Sequence, residues 1–181
     1  SFSHHFAAGK ITTVLGPSGS GKSTVLAMIA GLIQPDTGRV LLEGRDLTDV
    51  PPEKRDFGMV FQNYSLFPHL NVRQNVEFGL RVRHIGKAAR RQRALETLEL
   101  ARIAHLSERR INEISGGEQQ RVAMARALAI RPKVLIMDEP LSALNAKLRE
   151  WLRGEFIRLF HELAITTVYV TPDKMEAMSL G

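Results

Sequence analysis

The sequence predicts an α/β fold, a mainly parallel sheet covered by helices on both faces with a helical subdomain inserted into it. Three observations predict it. Short aliphatic or β-branched runs at Ile11 to Leu15, Val134 to Met137 and Thr166 to Val170 alternate with helical patterns, the signature of parallel strands joined by helical crossovers. Val134-Leu135-Ile136-Met137 is apolar at every position, as a strand buried on both faces requires. From about Asn71 to Arg110 the pattern turns helical and strongly charged, with Leu95, Leu98 and Ile103 at helical spacing among Arg and Glu.

Ile11 to Leu15 reads as a strand that ends in the glycine-rich GPSGSGKST, and an apolar helical pattern follows through Ala30. Gln34-Pro35-Asp36-Thr37-Gly38 reads as a turn, Arg39 to Leu42 as a strand, and Pro51-Pro52 as a loop before a strand at Phe57 to Phe61. Val122 to Ile130 is an Ala-rich helix, Ala146 to Leu163 a long helix, and Thr166 to Val170 the last strand. On the long helix, Trp151, Phe156, Leu159 and Phe160 are expected on one core-facing side. No internal repeat or low-complexity segment interrupts this order.

The chain has 181 residues, one domain's worth by the usual ~150 residues per domain. Hydrophobic residues make up 44% and charged residues 24%, which excludes disordered and fibrous classes. Lys and Arg total 25 against 19 Asp and Glu, a net charge of +6; this permits an acidic partner and identifies none. The absence of cysteine excludes disulfide frameworks, zinc ribbons, iron–sulfur clusters and thiol nucleophiles. No run approaches the ~20 apolar residues of a membrane-spanning helix. The start, SFSHHFAAGK, has no secretory pattern and no initiating Met, so the chain is expected to be a piece of a longer one, cut at both ends.

Gly16-Pro17-Ser18-Gly19-Ser20-Gly21-Lys22-Ser23 matches G-x-x-x-x-G-K-[ST] in full, between a strand and a helix, and Thr24 completes the loop's exit. Glycines let the backbone adopt positive φ and approach phosphate oxygens, while backbone N–H groups and the helix N-terminus form an anion nest. Lys22 would reach the β- and γ-phosphates of a nucleotide, and the Ser23 hydroxyl would ligate Mg²⁺. Asp138, at the tip of the buried strand, can hold Mg²⁺ directly or through water, and Glu139 is placed to act as general base on the attacking water.

Ser115 and Glu118 form an S-x-x-E capping box before the Ala-rich helix, and capping alone explains both. Capping leaves Gly116 and Gly117 unexplained; they expose backbone donors at a second helix N-terminus. One γ-phosphate needs one nest within a protomer, so this second anion surface is assigned to the nucleotide of a partner protomer.

Together, GPSGSGKST, Gln62 in VFQNYSLFPHL, ISGGEQQRVAMARAL and VLIMDEPLSAL resemble the nucleotide-binding subunit of an ABC transporter. The likeness covers essentially the whole chain and is greatest to the bacterial and archaeal importer ATPases for sugars, polyamines and ferric iron. The resemblance implies a P-loop NTPase core, the ABC ATPase fold, at 1–62 and 133–181, with a helical subdomain at 63–132. It implies ATP and Mg²⁺ as cofactors and a head-to-tail dimer with a second ATP-binding subunit. In that dimer the glycine loop of one subunit faces Ser115, Gly116, Gly117 and Glu118 of the other. Gln62 would contact Mg²⁺ and the attacking water. Transmembrane permease subunits would dock near Asn63 to Asn75, a solute-binding protein would take part indirectly, and the protein would sit peripherally on the cytoplasmic face of the cell membrane.

Three departures from the family pattern are present, and two of them, Pro172 and Asn145, bear on turnover. The family usually has a histidine after the last strand, where this chain has Pro172, which offers neither a side-chain donor nor a backbone N–H. Thr171 is expected to cap the following helix with Pro172 in its first position. Asn145 stands where the family has Asp, and Glu118 where Gln is usual. Two readings stay open: a transport ATPase in which Glu139 and Gln62 carry the chemistry, and a hydrolysis-impaired nucleotide-binding partner. A soluble, non-transport ABC ATPase is a third, although the interval from Gln62 to Ser115 is too short for the coiled coil or zinc module of repair-type members.

The basic stretch Arg81, Arg83, Lys87, Arg90, Arg91 and Arg93 reads as a solvated helix face, so no nucleic-acid partner is assigned. The histidines lack metal-ligand spacing.

Overall fold

The computed structural model describes residues 3–180. Ser1, Phe2 and Gly181, on which the expectation of cut ends rests, lie outside the described residues. Four parallel strands, β1 (Ile11–Leu15), β4 (Phe57–Val60), β5 (Val134–Asp138) and β6 (Thr166–Thr171), form a sheet in the order β1-β6-β5-β4. A two-stranded hairpin, β2 (Leu41–Leu42) and β3 (Arg45–Asp46), stands apart from it.

Side-chain alternation along the central strands divides the core between the two faces of the sheet. Val134 and Ile136 of β5 and Val168 and Val170 of β6 meet Leu26 and Ala30 of α1 (Lys22–Ala30). Their neighbours Leu135, Met137 and Tyr169 face the other way. There they meet Ala123, Met124 and Ala127 of α4 (Gly116–Ala129) and Leu152, Phe156 and Phe160 of α5 (Ala146–Leu163). Fully burying a side chain such as Ile136 contributes about 1.5–3 kcal/mol, so an all-apolar β5 is what a doubly covered strand selects.

A separate cluster forms where α2 (Val72–Val82) and α3 (Lys87–Leu100) pack on α4. Val72, Val76 and Leu80 meet Ala94 and Leu98, with Val122, Ala125 and Ala129 of α4 closing the cluster. Thus α4 serves two cores with two faces. It also approaches β4 very closely: a Cβ at Gly58 would lie 2.7 Å from the Ala127 carbonyl oxygen.

Several expectations need correction. The strand expected at 39–42 is only Leu41–Leu42, paired with Arg45–Asp46 through Glu43 and Gly44, both at positive φ (51° and 80°), a two-residue turn whose twist suits a hairpin. The Ala-rich helix begins at Gly116, since the Ser115 cap starts it before the apolar pattern becomes visible. Trp151 is not core: it is half exposed, one position out of step with the buried face Leu152, Phe156, Leu159 and Phe160. Its ring instead carries the Arg121 guanidinium at 4.1 Å, a cation–π contact.

Thr171 does not cap the final helix, α6 (Lys174–Leu180). Asp173 does, its Oδ1 accepting from the Met175 and Glu176 N–H groups at 2.8 and 3.2 Å. The Thr171 hydroxyl is used elsewhere: it accepts from Asp173 N–H at 3.0 Å and donates to the buried Glu176 carboxylate. Tyr169 donates to the same carboxylate, and burial, followed by the nearby Glu176 charge, pushes its phenol well above the ordinary range. Pro172 therefore precedes the cap.

Arg55, unremarked in the sequence, fixes α1 behind the glycine loop. It is buried, donating from Nη1 to the Met28 and Ile29 carbonyls at 3.0 and 2.8 Å, from Nε to Val50 O at 2.7 Å and from Nη2 to Thr48 O at 2.9 Å. A cation at the carboxyl end of a helix is favoured by the helix dipole. Among the described residues no helix is long and apolar enough to cross a membrane.

Candidate functional site

The glycine loop leaves β1 and re-enters the chain as α1. Gly19 and Gly21 sit at φ 80° and 87°, the left-handed region that L side chains rarely adopt. Gly21 is the residue that caps α1, and no side chain accepts from the first-turn N–H groups. Those donors face the mouth of the loop, where an anion would satisfy them. Pro17, Ser18, Ser20 and Thr24 are exposed around this mouth, and Gly16 lines its base, where an added Cβ would lie 3.0 Å from Ser20 Oγ.

Lys22 is buried in the loop. Its Nζ donates to Pro17 O at 2.8 Å and lies 3.5 Å from Glu139 Oε1. Ser23 Oγ donates to Asp138 Oδ1 at 3.0 Å. The parallel sheet accounts for this convergence: β1 and β5 both pair with β6, so the loops after β1 and β5 emerge at the same edge. Glu139 turns the chain there in a left-handed conformation (φ 44°), with its N–H donating to Val170 O at 3.0 Å.

Gln62 is exposed just past β4, and β4 neighbours β5 with Val60 level with Met137, which places Gln62 at the same edge. Among the described residues it makes no hydrogen bond to Ser23, Asp138 or Glu139. Pro172 also emerges here, since Thr171 pairs in register with Leu15 at the start of the glycine loop.

Ser115, Gly116, Gly117 and Glu118 lie apart, at the tip of α4, and no hydrogen bond joins them to the glycine loop among the described residues. The capping box is present in full: Glu118 Oε2 accepts from Ser115 N–H and Oγ, both at 2.7 Å, and Glu118 N–H donates to Ser115 Oγ at 3.4 Å. The bonds from the Ser115 backbone, then from its hydroxyl, hold the Glu118 carboxyl below its ordinary range. At Gly117 a Cβ would lie 2.8 Å from a Leu148 methyl of α5, so a side chain there would require Leu148 to shift. Gly116 has room for one, the nearest atom being Leu144 Cδ2 at 3.6 Å. Asn145 caps α5 by accepting from Leu148 N–H at 3.0 Å, a task Asn performs as well as Asp.

The segment Asn63 to Asn75 is tightly built. Asn71 caps α2 with a reciprocal Gln74 bond. The fully buried Asn75 holds the loop before it, its Oδ1 accepting from Phe67 N–H at 2.8 Å and its Nδ2 donating to the Phe67 and Asn71 carbonyls at 3.1 and 3.0 Å.

The donor set fits a magnesium nucleotide. Ser23 and Asp138 supply hard oxygen ligands at one point, Lys22 supplies a cation beside it, and the α1 terminus supplies N–H donors. No group of three or more His, Asp or Glu side chains with metal-binding geometry occurs among the described residues. The two oxygens of Ser23 and Asp138 suit a metal that arrives with phosphate oxygens and keeps water ligands, as Mg²⁺ does.

A parallel sheet with a glycine loop feeding a helix, and with hydroxyl and carboxylate meeting at its mouth, defines a phosphate-loop nucleotide-binding domain. The chain belongs to the ABC transporter family, which it matches over residues 1–142.

It is 53% identical over 174 residues to the spermidine/putrescine import ATP-binding protein PotA of Acidothermus cellulolyticus, covering 96% of this chain and 45% of that protein. To the sulfate/thiosulfate import ATP-binding protein CysA of Thermosynechococcus vestitus it is 51% identical over 175 residues, covering 97% and 52%. The chain thus spans about half the length of these relatives. Its fold superposes on the dimeric structure of the bacterial ABC transporter cassette MJ0796 with a TM-score of 0.84 at 36% identity, covering 97% of this chain and 80% of that one. A post-hydrolysis state of the same cassette bound to ADP and Pi gives a TM-score of 0.82 at 35% identity, covering 96% and 79%. The ABC ATPase fold expected from the sequence is the fold observed.

Proposed function

We propose that the full-length protein is the ATP-binding and hydrolysing subunit of a solute importer, working as a head-to-tail pair beneath transmembrane permease subunits at the cytoplasmic face of the membrane. The observation that carries the reading is the meeting of Ser23 and Asp138 at the mouth of the Lys22 loop. The relatives named for polyamine and sulfate import support the direction of transport.

The residues divide the work. N–H groups of the glycine loop and α1 take the β- and γ-phosphates, and Ser23 and Asp138 hold Mg²⁺, with Gln62 completing its surroundings. Mg²⁺, when bound, neutralises phosphate charge and polarises the transferred group. Lys22 is shared between Pro17 O and Glu139, so a triphosphate competes for its ammonium. When Lys22 turns to the phosphates, Glu139 is released to accept a proton from the attacking water, whose oxygen bonds to the γ-phosphorus as the bond to ADP breaks. Ser115, Gly116, Gly117 and Glu118 of α4 serve the nucleotide of the second subunit. ATP bridges the two subunits and ADP does not, so nucleotide state biases an open and closed pair. A solute-binding protein selects the cargo and takes part only through the permease. The division into a core at 1–62 and 133–181 and a helical subdomain at 63–132 belongs to this reading, with α4 as the helix shared by both cores.

A second reading, a partner subunit that binds ATP and turns it over slowly, is favoured by Pro172, which stands at the catalytic edge without any donor. Phosphate release by the full-length protein, with Lys22→Ala as the control that abolishes nucleotide binding, tests the first reading against the second. Turnover on the time scale of seconds or faster supports hydrolysis, and ATP binding without release supports the alternative. A protein that binds no ATP would overturn both.

A further inference from the structure

We infer that Arg126 is a positioning residue that locks the segment following Gln62 onto the helix carrying Ser115 to Gly117, so that the permease-docking surface and the partner-nucleotide surface move as one body. The inference deepens the proposed transport function and rests on that reading.

Arg126 lies in the last turn of α4. Its guanidinium forks across two successive carbonyls, Nη1 donating to Ser65 O at 2.6 Å and Nη2 to Tyr64 O at 2.8 Å. Both residues that present these carbonyls hold left-handed backbones, with φ 61° at Tyr64 and 46° at Ser65. Two consecutive non-glycine residues in that region are uncommon, and the surrounding structure must hold them there. The fork does so. Lysine cannot substitute for it, because a single ammonium does not span two carbonyls in a fixed plane.

The clamp is built to be rigid. Burial lowers the Arg126 pKa, and no carboxylate lies within ion-pair reach among the described residues, so the cation is desolvated for these backbone contacts and for the Phe67 ring 5.6 Å away. Tyr64 is itself buried in the cluster formed by α4, α5 and the sheet. From the other side Asn75 of α2 holds Phe67 and Asn71. The segment between Gln62 and Asn71 is therefore gripped by α4 and α2 together, and a displacement of its surface is passed to α4. Ser115 stands at the far end of that helix, about 16 Å along its axis at the usual rise per residue.

The test compares the full-length protein, Arg126→Lys and Arg126→Ala, each alone and assembled with its membrane subunits in lipid vesicles. ATP affinity and the turnover of the isolated subunit are expected to stay within about twofold of the parent in both variants. Stimulation of turnover by the membrane subunits is expected to fall roughly fivefold or more in Arg126→Ala and by less in Arg126→Lys. Amide exchange at residues 63–70 should quicken in both. Arg126→Lys retains the charge and the aliphatic stem, so it serves if the alanine variant fails to fold. Undiminished stimulation in both variants, or equal losses in isolated and assembled turnover, would overturn the inference while leaving the transport reading intact. A parent protein that is not stimulated by any membrane subunit would overturn the transport reading and this inference with it.

Discussion

The Ser23 hydroxyl donates to Asp138 Oδ1 at 3.0 Å, so the first turn of α1 and the tip of β5 meet across 115 residues of chain. Parallel pairing through β6 makes the meeting possible, and the chemistry of the pair makes it useful. Neither group is needed to fill the core, because Ser23 is exposed and Asp138 only half-buried.

Removing either side chain should therefore spare the fold and damage the reaction. Ser23→Ala and Asp138→Asn are each expected to slow phosphate release by about 10²-fold, corresponding to about 2.7 kcal/mol of transition-state stabilisation. Steady-state assays across a range of Mg²⁺ concentrations check this, and unchanged turnover in either variant would remove that residue from the metal site.

Pro172 supplies the second test. Pro172→His places a donor at the edge where Leu15, Thr171 and Glu139 converge, and it disturbs no cap, since Asp173 performs that task. A single added donor to a charged transition state is expected to raise turnover roughly 10-fold or more. Unchanged turnover would mean that Glu139 and Gln62 suffice, and the slow-turnover reading would lose its basis.

Two glycines are expected to respond oppositely to alanine. At Gly58 the new Cβ would meet the fixed Ala127 carbonyl at 2.7 Å, so Gly58→Ala should destabilise the domain by about 1–3 kcal/mol. At Gly154, inside α5, nothing lies within 4 Å, and Gly154→Ala should stabilise it by roughly 0.5–1 kcal/mol through the lower entropy of its unfolded chain. Urea denaturation measures both, and a Gly58→Ala variant as stable as the parent would contradict the close packing of α4 on β4.

The capping carboxylate makes a pH prediction. The folded-state pKa of Glu118 lies below its ordinary value of 4.5, so its contribution to stability is present above that value and is lost as pH falls through the folded pKa. Glu118→Gln keeps an acceptor for Ser115 and removes the titration. The stability difference between the two proteins, measured by urea unfolding between about pH 3 and 6, should be constant at the upper end and shrink towards the lower. A difference that does not vary with pH would show that folding leaves the Glu118 pKa unshifted.

The strands of the four-stranded sheet, the glycine loop and α5 were legible because each rests on a local pattern: an aliphatic run, a motif between strand and helix, an apolar periodicity of helical spacing. The paired Ser23 and Asp138 were legible as types, and only the sheet order supplies their distance. Periodicity misplaced Trp151 because one step on a helix is 100°, enough to move a side chain from the edge of a core to solvent. Thr171 was misread as a cap because its hydroxyl is claimed by Glu176, a tertiary contact that no local pattern contains. Arg55, Arg126 and the packing of Gly117 on Leu148 were invisible for the same reason: each depends on backbone or side chains brought near by the fold.

The proposed transport function requires one triphosphate to be held by the glycine loop of one subunit and the Ser115 to Gly117 tip of another. Sedimentation of full-length Glu139→Gln with Mg²⁺ and either ATP or ADP tests this directly. A dimer is expected with ATP and a monomer with ADP, with the dimer lost when Ser115→Arg is added; a monomer in both nucleotides, or a dimer indifferent to them, would overturn the shared-nucleotide arrangement.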